Sequence, residues 1–171
     1  MSALAAADND ADDLKALYQE MILEHGKHPR NARLVEHATC TAKGNNPLCG
    51  DKLTVTARVL PDGTLEDLAA EGKGCAISIA SASMMTEALK GQSVDTARRL
   101  FNAVHDLCMG KSDVAAAKAL VPDALADQVD RLAALSGVRQ FPVRVKCATL
   151  PWHTLLSCLD GRGEATTEKT H

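Results

Sequence analysis

Residues 51–91, DKLTVTARVLPDGTLEDLAAEGKGCAISIASASMMTEALKG, change their hydrophobic period once, and that change decides the fold. Leu53, Val55, Ala57 and Val59 alternate with Thr54, Thr56 and Arg58, which is the two-residue period of a strand with one buried face. PDGT then supplies a turn, and TLEDLAAEG returns as the second arm of a hairpin. After Gly74 the run CAISIASASMMTEALKG takes up helical spacing. Its small residues Ala80, Ser81, Ala82 and Ser83 allow a close-packed neighbour. A third strand expected around His37 to Lys43 would complete a small antiparallel sheet.

Outward from this core, the flanks read as helices. From Asp12, DDLKALYQEMILEHGKHPRN places Leu14, Leu17, Met21 and, less regularly, Ile22 on one face, and Gly26 and Pro29 close it. VDTARRLFNAVHDLCMG is a further helix, and the Ala- and Leu-rich middle region gives a short helix, a break at Pro122 and a longer helix. RVKC reads as a strand-like approach to a terminal helix, CATLPWHTLLSCLDG, whose Pro151 is tolerated if it lies in the first turn. A few strands followed by a run of helices predicts an α+β domain, a three-stranded antiparallel sheet packed against about five or six helices. Residues 1–11 and 161–171 are small and polar and are expected to be mobile tails of this single domain.

Composition narrows the function. The chain has 171 residues, 46% hydrophobic and only 2% aromatic, so its core is aliphatic. A net charge of -3 gives no basic field to hold a nucleic acid. No run approaches the ~18 apolar residues of a membrane span, and MSALAAADNDADD lacks the cationic start of a signal peptide. A cytoplasmic protein is expected, with neither nucleic acid nor membrane as partner. Six cysteines in a reducing compartment disfavour disulfides and point to metal or thiol chemistry.

Three of the six stand in distinctive surroundings. Cys49 lies in NNPLCGD, where Pro47 and Gly50 tighten a loop and Asp51 stands two residues on. Cys75 lies in GKGCAIS just before a helix, where the helix terminus favours a thiolate. Cys147 lies in RVKCATLPW, at the expected start of the last helix. The 25 and 71 intervening residues match no compact zinc-finger spacing, and each cysteine taken singly reads equally well as a small buried hydrophobe. Cys40, Cys108 and Cys158 read as packing thiols and are assigned no chemistry. His25 and His28 read as a helix end and loop, Trp152 as a packing residue and His153 as solvent-exposed.

LYQEMILEHGKHPRN, NPLCGD, GKGCAISIASASMMTEALKG and RVKCATLPW together resemble, in order, the U-type iron–sulfur cluster assembly proteins of the IscU and NifU superfamily. The resemblance covers most of residues 14–160 and implies an α+β fold that gathers Cys49, Asp51, Cys75 and Cys147 at one exposed end. In that family these positions bind zinc or carry a nascent cluster. Lys146 stands where the scaffold branch has histidine, and a protonated lysine is no metal ligand. Together with a longer Cys75 to Cys147 interval, this is similar to the SUF-system branch, SufU.

That branch implies a zinc-bound sulfur acceptor rather than a stand-alone enzyme. Its sulfur would come from a cysteine desulfurase of the SufS type, a pyridoxal-phosphate enzyme, and would pass to downstream SUF machinery. Cys49, on its loop, would be the acceptor, and Arg144 and Lys146 would balance the site's charge or meet the partner. Two other readings stay open: a scaffold for a transient [2Fe–2S] cluster on the same residues, and a zinc module that only braces the fold.

Overall fold

A computed structural model describes residues 3–167, with side chains described from Asp13 onward. The outermost parts of the two expected tails, residues 1–2 and 168–171, lie outside the described residues. Strands β1 (Cys40–Asn46), β2 (Asp51–Val59) and β3 (Leu65–Lys73) pair antiparallel, with Asn46 opposite Asp51 and Val55 opposite Ala70. Leu53, Val55 and Ala57 face the core as their alternation predicts. Thr56 is buried too, because its hydroxyl accepts the Val35 N–H at 2.8 Å from the segment crossing the other face.

The third strand begins later than expected, at Cys40, since the backbone still turns at His37, whose φ is 55°. A fourth strand, β4 (Glu164–Thr166), pairs parallel with β1 and gives the order β3-β2-β1-β4. Residues 164–166, within the stretch expected to be a mobile tail, thus form a strand. Short polar β4 carries little sequence signal, and the exposed edge of β1 supplies its hydrogen bonds.

Helix α1 (Ala3–Lys27) starts nine residues before the expected Asp12, since the Ala-rich opening favours helix. After α2 (Ala76–Leu89), α3 (Val94–Met109) runs from the Ser93 cap, which accepts the Thr96 N–H at 3.0 Å, to left-handed Gly110. The middle region gives α4 (Val114–Ala119), α5 (Ala126–Leu132) and two 3-10 segments, Asp123–Leu125 and Ala133–Gln140. The last helix, α6 (Pro142–Leu159), starts on Pro142, so RVKC is helical where a strand-like approach was expected. Its β-branched residues suggest strand, but proline at the first helical position favours helix initiation.

Pro151 consequently sits inside α6 and not in its first turn, and it cannot donate to the carbonyl four residues back, that of Cys147. Packing outweighs this loss. Helix α6 lies across β1 and β2, and Gly44 makes the approach possible, because a Cβ there would run into Thr154. Small residues of α2 let it press on α6: the Ser81 hydroxyl donates to the Ala148 carbonyl and accepts from Trp152 Nε1 at 3.1 Å. Trp152 is a core residue, as expected. His153 is half-buried instead of exposed, packed edge-on to Phe101 and His105 with ring centroids 5.1 and 5.6 Å away. Among the described residues, no helix is long and apolar enough to cross a membrane.

Candidate metal centre

The four-residue turn Pro47 to Gly50 joins β1 to β2, and left-handed Gly50, with φ of 68°, turns the chain back. Cys49 rides on this turn, half-buried, its N–H held to the Asn46 carbonyl at 3.3 Å. Two residues later Asp51 opens β2 and is fully buried. A buried carboxylate needs donors, and Asp51 has three. Oδ1 accepts the Cys75 backbone N–H at 2.8 Å and the Ser78 hydroxyl at 3.1 Å, while Oδ2 accepts the Asn46 amide at 3.0 Å.

Cys75 caps α2, so Asp51 lies at that helix's positive end. The glycine of GKGC is required here. A Cβ on Gly74 would run into the Asp51 carboxylate and the Ser78 hydroxyl.

Cys147 reaches the same place from the second turn of α6, not from the helix start. It is buried, and its Sγ lies 3.0 Å from Cys49 Sγ and 3.4 Å from Asn46 Nδ2. The ligand atoms of Cys49, Asp51 and Cys147 all lie within 4.8 Å of one another. Cys75 stands at the edge of this triad, half-buried: its backbone binds Asp51 and its thiol bears on Cys147. Burial pushes the Cys147 thiol far above its ordinary pKa, and contacts with Cys49, Asp51 and Cys75 push it further. A cation is what this cluster needs to hold its thiols as thiolates.

The donor set fits zinc. Sulfur and carboxylate ligands at ~2.0–2.3 Å on a tetrahedron stand roughly 3.3–3.8 Å apart, so the triad needs only small side-chain adjustments. Three thiolates and one carboxylate also suit iron, so the donors alone do not choose the metal. Of the cations expected to offset their charge, Arg144 is exposed and Lys146 half-buried. Neither forms an ion pair with Asp51 among the described residues.

Asn46 and Ser78 build this site without having been singled out in the sequence, and Gly74 was read only as preceding a helix. NNPLCGD and GKGCAIS contain all three, but only the fold shows that they converge on Asp51. Cys40 and Cys158, read as packing thiols, instead form a disulfide that ties the start of β1 to the end of α6. The compartment argument disfavoured it, and 118 residues of separation gave no hint of it. Cys108 does pack as expected. It is buried, and burial raises its thiol pKa to about 12.

The profile of the NifU-like N terminal domain matches residues 17–148. The chain is 39% identical over 145 residues to the zinc-dependent sulfurtransferase SufU of Bacillus subtilis, covering 84% of this chain and 89% of that protein. It is 33% identical over 142 residues to the iron–sulfur cluster assembly scaffold protein IscU of Streptococcus pyogenes, covering 83% and 82%. A solved structure of a protein assigned as an iron–sulfur cluster assembly scaffold for the SUF system, from Fervidobacterium islandicum AW-1, superposes with a TM-score of 0.66. It is 29% identical, with 82% of this chain and 94% of that one covered. The N-terminal part of a NifU-like protein from Brucella abortus shares the fold, with a TM-score of 0.71 at 22% identity, over 85% and 93% of the two chains. The α+β fold, the order of its motifs and these matches together place the chain in the NifU-like N-terminal domain family, the family of IscU and SufU.

Proposed function

We propose that the chain is a SufU-type protein of iron–sulfur cluster assembly, which holds zinc on Cys49, Asp51, Cys75 and Cys147 and takes sulfur from a cysteine desulfurase onto Cys49. The observation that carries this reading is the convergence of Cys49, Asp51 and Cys147 within 4.8 Å, in a chain similar to a zinc-dependent sulfurtransferase. Zinc would supply the positive charge that keeps the thiols deprotonated, with no redox chemistry of its own.

The three cysteines are unequal in access. Cys147 is locked in α6, and Cys75 is tied through its backbone to Asp51. Cys49 stands on a turn of four residues, flanked by Leu48, a residue 58% exposed. It is the sulfur best placed to meet a partner. The Cys49 thiolate attacks the outer sulfur of the donor's cysteine persulfide. The donor S–S bond breaks as the new S–S bond to Cys49 forms, and the donor cysteine leaves as a thiolate, so no external oxidant or reductant is needed. Exposed Phe141, Val143 and Arg144, at the start of the helix that carries Cys147, form a rim on which a desulfurase can dock.

Metal analysis of protein purified without added metal, followed by a desulfurase assay with and without zinc, tests the proposal. One zinc per chain and stimulation of cysteine turnover that vanishes on chelation are expected. Equal stimulation by metal-free protein would contradict it. Reconstitution of a cluster that transfers to an apo-ferredoxin would favour the scaffold reading instead.

A further inference from the structure

Asn46 is fully buried at the end of β1, and its amide bridges three parts of the chain. An ionised carboxylate only accepts hydrogen bonds, so the end of the amide facing Asp51 must be the NH2 group. Nδ2 donates to Asp51 Oδ2 at 3.0 Å and lies 3.4 Å from Cys147 Sγ, one hydrogen for each. That leaves the carbonyl oxygen, which accepts the Thr167 hydroxyl at 3.1 Å. Thr167 is itself buried, and its backbone N–H reaches the Asn45 carbonyl at 3.1 Å as β4 runs along β1.

We propose that Asn46 is a positioning residue for the metal-binding groups, and that Thr167, the residue directly after β4, orients it. The inference rests on the metal-site reading above. Asn46 does not touch the ion's place through a lone pair. It donates one N–H to each of two groups that carry negative charge when they bind metal, Asp51 and Cys147. The two donations hold the carboxylate oxygen and the sulfur at a set separation. Asp51 decides which end of the amide faces it, since a flipped amide would set its oxygen against the carboxylate, and the Thr167 hydroxyl, donating to the carbonyl oxygen, anchors the far end of the amide and so fixes its plane. The segment that β4 leads into thereby becomes part of the site, although it contributes no ligand.

The test uses the full-length chain and its Asn46→Ala, Thr167→Val and Thr167→Ser variants. Zinc affinity is read by competition with a chromophoric chelator, and the thiolate-to-metal absorption bands are read after cobalt substitution. Asn46→Ala is expected to weaken zinc about 10–100-fold and to shift the cobalt bands, with stoichiometry kept at one ion. Thr167→Val is expected to do the same by a smaller factor, about 3–10-fold, and Thr167→Ser to restore wild-type behaviour. Wild-type affinity and bands in Asn46→Ala, whatever its melting temperature, would overturn the proposal.

Proton exchange of the Asn46 side-chain amide in metal-free protein supplies a readout that does not depend on zinc. A wild-type chain that binds no zinc would sink the metal reading alone. Slow amide exchange that Thr167→Val accelerates tenfold would still support the positioning role, and exchange at the solvent rate in the wild type would overturn it.

Discussion

Two cysteine pairs join the same two elements, and they do so in opposite ways. Cys40 at the start of β1 is bonded to Cys158 near the end of α6. Cys49, three residues past the end of β1, faces Cys147 in the second turn of α6 at 3.0 Å, with both thiols free. Helix α6 therefore runs antiparallel to β1, with one pair at each end. At the sealed end Cys158 lies in the aliphatic core. At the open end a buried carboxylate, an amide and a third cysteine crowd the sulfurs. The difference teaches that the company of a thiol pair sets its use: apolar surroundings suit a brace, and anionic, hydrogen-bonded surroundings suit a cation.

Breaking the open pair should have the largest effect. Cys147→Ser is expected to weaken zinc binding roughly a thousandfold, ~4 kcal/mol, because a neutral hydroxyl replaces a thiolate ligand. Chelator competition measures this. Removing the sealed pair, by Cys40→Ser with Cys158→Ser, should instead cost about 2–4 kcal/mol of folding stability, read from denaturant midpoints. Zinc affinity should stay within about threefold, and a double variant that sheds its zinc would erase the distinction between the pairs.

His153 lies on α6 between the two pairs and probes the helix that links them. Burial, with the nearby His105 charge adding to it, lowers its pKa to about 4. The native ring stays neutral while the unfolded chain takes up a proton. Its contribution to stability is thus complete above the unfolded value near 6.5 and is lost as pH falls towards about 4. About 3 kcal/mol should disappear across this window, and His153→Gln should flatten the profile. The smallest effect belongs to Cys108, which is in neither pair. Cys108→Ala should cost about 1 kcal/mol and leave zinc unchanged. With its thiol raised to about 12, Cys108 should resist alkylation at pH 8 while the chain is folded.

The hairpin and α2 were legible in residues 51–91 because their periods are strong and their turn is local. The PDGT turn is built as read, with Asp62 accepting the Thr64 N–H at 2.9 Å. The resemblance brought Cys49, Asp51, Cys75 and Cys147 together as an expectation, and the structure gathers Cys49, Asp51 and Cys147 within 4.8 Å with Cys75 at their edge, an arrangement that motif context did not give. That depends on Cys147 lying inside α6 and on Cys75 serving Asp51 through its backbone. Strand β4, the Cys40–Cys158 bond and the Thr167–Asn46 contact were not legible, because each joins residues far apart in sequence without a local pattern. Pro151 misled for a related reason: local chemistry disfavours it within a helix, and only the packing of α6 on α2 and the sheet compensates.

The most direct measurement of the central claim is peptide mass mapping after a single turnover of the zinc-loaded chain with a cysteine desulfurase and cysteine. The account predicts one added sulfur on the peptide carrying Cys49, and none in Cys49→Ala. An added sulfur on Cys75 or Cys147 with Cys49 unmodified would contradict it.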